Sequence, residues 1–175
     1  MQPQTALLAD INHCCQLNMS YTTDYVWQMR TAETERATDI HFDTVRLPRP
    51  MRVEYPRSPD ELLANWERKG CFLVIKDVAG IIGFIDGLPQ PWLNTLWISN
   101  LVVVPGYRQQ GVASRLLQAA REWARQRQLG QLTLEIQTKN FPAIALALKH
   151  GFRFCGYNER YYLNGDIALF FSRAS

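Results

Sequence analysis

The stretch from Leu101 to Ala113 limits this chain more than any other part of it. Leu101 to Val104 is an apolar run that reads as a buried strand. Pro105 closes it, because proline has no N–H to give to a sheet. A short loop follows, Gly106-Tyr107-Arg108-Gln109-Gln110-Gly111, and then a helical run from Ser114 to Gln128. Val112, Leu116, Ala119, Ala120 and Trp123 recur there at helical spacing. A strand that feeds a loop and then a helix N-terminus builds an anion cradle. The first N–H groups of a helix have no partners inside it, and its dipole is positive at that end. Gly111 lets a phosphate come close to the backbone, Ala113 keeps the next position small, and Arg108 brings a forked cation. The loop has neither Gly-Lys-Ser/Thr nor Gly-x-Gly-x-x-Gly, which excludes a P-loop and the dinucleotide fingerprint.

The remaining segments read as an α/β chain with a mixed sheet. Residues 4–30 read as helical, with a break near Met19-Ser20 where Ser20 suits an N-cap. Ile40 to Val53 contains Pro48 and Pro50 and reads as an edge strand or arm. Pro59-Asp60-Glu61 opens a short helix through Trp66, and Gly70 ends it. Cys71–Lys76 and Ile81–Asp86 form a hairpin, Leu88–Trp92 a loop, and Thr95–Val104 a long central strand. Gly130 stops the helix that follows. Leu132, Leu134 and Ile136 alternate as a strand, and Asn140–His150 is a helix ended by Gly151. Phe152–Tyr157 and Ile167–Phe171 are terminal strands, with a turn at Asn164-Gly165 between them. No repeat or linker interrupts this order, so a single domain over 1–175 is expected.

Composition removes several classes of function. No apolar run nears the ~18–20 residues of a membrane span. Met1 to Ala6 lacks the basic and apolar regions of a secretory leader. A net charge of +3 does not argue for nucleic acid as partner. Cys14, Cys15, Cys71 and Cys155 fit neither a disulfide framework nor a zinc pattern, and instead fit reduced thiols in cytoplasm. His13, His41 and His150 lack ligand spacing, so no metal site is expected.

The loop motif Arg108-x-x-Gly111-x-Ala113, behind Leu101-x-Val103-x-Pro105-x-Tyr107, resembles the pyrophosphate loop of the GNAT superfamily of acetyl-CoA-dependent N-acyltransferases. A second pattern is similar to the family's segment after the cofactor helix. It is Leu134-Glu135-Ile136-x-x-x-Asn140-x-x-Ala143-Ile144-x-Leu146-x-x-Lys149-x-Gly151-Phe152. Together they cover Trp92 to Phe171. Glu135–Asn140, Trp123-Ala124 and Ala168–Phe171 look like the streptothricin-acetyltransferase branch. The resemblance implies a single-domain GNAT-like fold, with a central mixed sheet that splays beside the cofactor and helices on its flanks. It implies acetyl-CoA as acetyl donor, its phosphates on Arg108, Gln109, Gln110, Gly111, Val112 and Ala113. The pantetheine arm then pairs with Leu101, Val102 and Val103, a backbone N–H near Val102 serves the thioester oxygen, and Asn140 binds the cofactor or caps the last helix.

Acetylating an amine also requires removal of a proton, because a lysine-like amine has a pKa near ~10. Glu135 is the candidate base. It sits five residues before Asn140, where N-terminal protein acetyltransferases of the superfamily carry a catalytic Glu, and strand alternation turns it away from Leu134 and Ile136. Its bland alternative is a solvated strand glutamate; Glu54 and Asp86 are next in line. The family's general-acid Tyr, seven residues after the Asn, is replaced here by Ala147. Tyr157, Tyr161 and Tyr162 are candidates for that role or for packing. Trp27, Trp66 and Trp92 line the acceptor cleft or pack in the core. The acceptor is a small-molecule amine, antibiotic-like or a metabolite, or a protein N-terminus. No nucleic acid or membrane partner is expected, and a homodimer stays open. Ala147 keeps a rival alive, a non-catalytic acyl-CoA-binding module. An RNA-binding reading rests on Arg115, Arg121, Arg125 and Arg127, which fit a solvated helix face better.

Overall fold

The computed structural model describes residues 1–175. Its main body is a seven-stranded sheet in the order β1-β4-β5-β6-β7-β9-β8, where β1 is Gln4–Thr5, β4 Cys71–Asp77, β5 Gly80–Gln90, β6 Thr95–Val103, β7 Gln131–Gln137, β8 Arg153–Asn158 and β9 Ala168–Ala174. All neighbours are antiparallel except β6 and β7. That parallel pair needs a crossover, and α3 (Val112–Gln126) supplies it. α3 and α4 (Phe141–Lys149) lie on one face, over a core that includes Leu116, Ala120, Leu132, Ile144 and Phe171. α1 (Leu8–Cys15) and α2 (Asp60–Glu67) cover the other face over a smaller cluster with Ile11, Leu62, Phe72, Phe84 and Val102. No helix is long and apolar enough to cross a membrane.

One bulge shapes the site. Asp86 pairs with Asn100 but Gly87 pairs with Ile98, so Ser99 is an extra residue on β6. Before the bulge Leu96 and Ile98 sit in the α3-side core; after it Leu101 and Val103 pack on that core, and Val102 joins the α1–α2 cluster. The β6–β7 pairing stops at the same place, with Ile98 and Leu134 as its last partners. The strands part there, and β7 goes on pairing with β9 as far as Gln137. Gly83 on β5 keeps α3 close to this point, because a Cβ there would meet Val102 O at 2.8 Å and Val112 Cγ1 at 3.1 Å.

The N-terminal part departs from the sequence expectation. Residues 4–30 do not form two helices. Only Leu8–Cys15 is helical, and Tyr21–Thr34 is β2, paired with β3 (Ala37–Val53) in a separate two-stranded ribbon. Tyr21, Thr22, Thr23, Tyr25, Val26 and Trp27 are β-branched or aromatic, and that preference outweighs the helical reading. The expected arm at 40–53 is present. Leu47 to Pro50 bulge out opposite Asp24, which takes both prolines out of the ladder. At the ribbon's base Trp27 and Phe42 pack on Phe154, Tyr157 and Phe171. Residues 88–90, expected as a loop, continue β5, and only Pro91–Leu93 turn, as a short 3-10 helix.

Candidate active site

The gap between the parted strands is a slot. Ile98 to Leu101 of β6 and Leu134 to Gln137 of β7 form its walls, Asn140, Ala143 and Leu146 of α4 one side, and Tyr55, Pro56, Arg57 and Tyr162 the mouth. Backbone direction along β6 follows from one bond: Val104 N donates to Ile82 O of β5. N–H groups alternate along a strand, so those of Leu101 and Val103 face the slot. Val102 points its N–H at β5 and its side chain into the core. The N–H expected near Val102 is therefore that of Leu101 or Val103.

Past the end of β6 and a short loop, α3 begins. Its N-cap is Gly111 at φ +79°, in the left-handed region that glycine enters without strain, and no side chain caps the helix. The N–H groups of Val112, Ala113 and Ser114 are thus left for an anion. A Cβ on Gly111 would meet nothing within 4 Å, so the approach is open. Gln109 is also left-handed, at φ +60°, and Gln110 Nε2 donates to Gly106 O at 2.8 Å, which fixes the loop. Arg108 also has partners within the chain: its Nε donates to Val103 O at 2.9 Å and its Nη2 to Ser20 O at 2.7 Å. Two donors of the fork tie the loop to β6 and to the residue before β2, beside the backbone N–H groups of the cradle. Asn140 caps α4, its Oδ1 accepting from Ala143 N at 3.2 Å, and it lines the slot as well.

Glu135 faces the side away from Leu134 and Ile136, as alternation requires, and its side chain is wholly buried. It is no solvated surface group. Arg57 Nη2 meets Oε1 at 2.6 Å, while Trp97 Nε1 and Tyr161 Oη donate to Oε2 at 3.1 and 2.8 Å. Arg57 also pairs with Glu61 at 2.6 Å. Burial opposes the Arg57 charge, but Glu135 outweighs it and holds the guanidinium above its ordinary pKa. Burial, then the Glu135 charge, push the Tyr161 phenol up to about 12. Glu54 is excluded as a base, because it is exposed and pairs with Arg52 at the surface. Asp86 lies behind the slot wall, fully buried, and burial raises its carboxyl to about 6 against the opposing bond from Asn65 and the nearby amide of Asn100.

The tyrosines separate by position. Tyr157 packs on Phe42, Tyr161 bonds Glu135, and Tyr162 lines the slot. Ala147 is fully buried in the α3-side core. Trp27 packs at the ribbon base, Trp66 donates to Ala6 O, and Trp92 is 80% exposed, so none of them lines the slot. The tryptophan at the site is Trp97, which the sequence reading missed although its β6 position is alternation-competent. Arg57, Tyr55 and Asn100 were missed too. Arg57 is 78 residues from Glu135 in the chain, and no spacing rule joins them.

Comparison with known proteins agrees with this geometry. A profile of the acetyltransferase (GNAT) family matches residues 35–152. A streptothricin acetyltransferase of Streptomyces lavendulae is 32% identical over 105 residues, 58% of this chain, and the chain spans about 56% of that relative's length. A streptothricin acetyltransferase of Escherichia coli is 31% identical over 143 residues, covering 75% of this chain and 79% of the relative. The crystal structure of nourseothricin acetyltransferase superposes with a TM-score of 0.82 at 28% identity, covering 99% of this chain and 97% of that one.

Proposed function

The chain belongs to the GNAT family of acetyltransferases, and from that premise we propose that it moves an acetyl group from acetyl-CoA to a primary amine of a streptothricin-like small molecule. One observation carries the reading: two strands part between an uncapped helix N-terminus and a buried carboxylate. The residues suit acetyl-CoA. The N–H groups of Val112 to Ser114 offer donors to its pyrophosphate, and those of Leu101 and Val103 offer strand-like partners to its arm. When bound, acetyl-CoA would supply the thioester that an amine attacks; the C–S bond breaks and CoA leaves as a thiolate, which takes its proton from water. Leu101 or Val103 N–H would donate to the carbonyl oxygen as it gains charge. Glu135 keeps a lone pair on Oε1 beyond its bond to Arg57, and through it takes the amine's proton, by way of water. The cysteines are all unpaired, which supports cytoplasm as the protein's place.

The assay is thiol release with streptothricin and with a peptide beginning in alanine, beside calorimetry with acetyl-CoA. Turnover of streptothricin is expected; acetyl-CoA binding without turnover of any amine would instead favour a non-catalytic module. Glu135→Gln should lower the rate at pH 7 by ~10²–10⁴-fold with acetyl-CoA affinity kept, and higher pH should recover part of it. A wild-type rate at pH 7 would remove Glu135 from the reaction.

A further inference from the structure

We infer that Tyr55 orients the acceptor amine at the slot mouth, and that Asp86, acting through Asn100, sets the direction of its hydroxyl; this rests on the acetyl-transfer reading above. Asp86 on β5 and Asn100 on β6 are register partners, 1% and 2% exposed. Asn65 Nδ2 donates to Asp86 Oδ2 at 2.7 Å. That leaves two orphans on the pair, Asp86 Oδ1 and Asn100 Nδ2. They complete no hydrogen bond of normal geometry, yet the amide lies near enough to help hold the carboxylate's charge.

Polarity then passes along the chain of groups. A carboxylate only accepts, so the amide of Asn100 turns its NH₂ to Asp86 and its carbonyl away. Tyr55 Oη donates to that carbonyl at 2.8 Å. A phenol has one proton, and Tyr55 has spent it. Because Tyr55 lines the slot, its oxygen offers only lone pairs there. That is an acceptor, matched to an amine N–H. Reversing the amide would make Nδ2 the donor to Tyr55 and free the phenol proton for the slot, which suits a carbonyl and opposes an amine. Asp86 makes the choice, as a positioning residue. The polar and titratable groups around it are Cys14 of α1, Glu61 and Asn65 of α2, Tyr55 and Arg57 of the preceding loop, Cys71 of β4 and Asn100 of β6. Of these Arg57 is the cation that favours the charged carboxylate. Protonation of Asp86 near pH 6 makes it a donor as well as an acceptor, so it no longer holds the amide in one orientation.

The test uses the full chain with Tyr55→Phe, Asp86→Asn, and the exchange Asp86→Asn with Asn100→Asp. With streptothricin as acceptor, Tyr55→Phe should raise KM about three- to tenfold, the worth of one neutral hydrogen bond, with acetyl-CoA affinity by calorimetry unchanged within about twofold. Asp86→Asn should move KM the same way. The exchange should restore it, because the relocated carboxylate again receives both the amide and Tyr55. A second readout needs no substrate. The ¹³Cζ resonance of Tyr55, assigned through Tyr55→Phe, should shift with an inflection near pH 6 and lose that inflection in Asp86→Asn. An unchanged KM in Tyr55→Phe, an exchange as impaired as the single variant, or a Cζ signal indifferent to Asp86→Asn would each overturn the inference. Failure of the wild type to bind acetyl-CoA would overturn the acetyl-transfer reading instead, and the Cζ signal would still decide the hydrogen-bond chain.

Discussion

Replacing Arg57 by methionine isolates what holds the mouth of the slot together. The Glu135 side chain is fully buried and Arg57 is 19% exposed, so the pair is shielded from solvent and salt. Methionine keeps much of the length and apolar stem but removes the charge. Glu135 would keep the bonds from Trp97 and Tyr161, yet stand as a buried anion without a cation. Breaking such a pair from one side costs about 3–5 kcal/mol. Unfolding entropy for a chain of this size is about 0.4 kcal/mol per degree, so Tm should fall by about 8–13 °C. Half-exposed Glu61 adds little, because a surface i,i+4 pair is worth about 0.3–0.5 kcal/mol. Thermal unfolding by circular dichroism at pH 7.5 measures the fall. The double variant Arg57→Met with Glu135→Met is the control. It removes both charges and should regain most of the stability, since the cost lies in the orphaned carboxylate rather than in the lost attraction. A fall under 2 °C in the single variant, or a double variant no more stable than the single, would refute this account.

Gly111→Asp sets a side chain and a negative charge at the N-terminus of α3, and acetyl-CoA affinity by calorimetry should fall at least about tenfold in a folded protein, since a charge-assisted contact is worth ~1.5–3 kcal/mol. Asp86 binds its proton more tightly folded than unfolded, 3.8 rising to about 6, so it costs stability as pH rises through that window and the full cost is present above it. Asp86→Asn removes the cost: urea unfolding should show a gain of about 3 kcal/mol at pH 7.5 that shrinks to about 1 kcal/mol at pH 4.5, at 1.36 kcal/mol per pKa unit, and a gain independent of pH would count against the buried charge. Trp27→Ala should cost about 3–5 kcal/mol and expose the ribbon to trypsin at Arg30 and Arg36, as followed by limited proteolysis; an intact ribbon at equal protease would deny that the aromatic base holds it.

The strand, loop and uncapped helix N-terminus around Gly111 were legible because their signals are local. Pro105, Gly111 and the helical spacing after Val112 lie within a few residues of one another, and each acts on the backbone beside it. Glu135 was legible for the same reason: alternation with Leu134 and Ile136 settles its face. What surrounds it was not. Arg57 reaches it from a loop far away in the chain and Trp97 from β6, and only the tertiary fold brings them together. The role expected of Arg108 was a phosphate contact, and the type of residue was right for it. Two backbone carbonyls compete for the guanidinium, and one belongs to Ser20, 88 residues away. The helical reading of residues 21–30 failed because their spacing gives no partner, while β3 supplies an antiparallel ladder broken only at Asp24.

β9 lies between β7 and β8, bonded to both. It is made after every other strand of the sheet. Until it is made, β7 has an open edge beyond its short pairing with β6, and β8 has no neighbour at all. A chain still attached to the ribosome would therefore show apolar strand edges that only the final segment can cover, and such edges seek other chains. Loss of Ala168–Ala174 would not trim the sheet at its rim but divide it. Variants shortened before Ala168 belong with aggregating species.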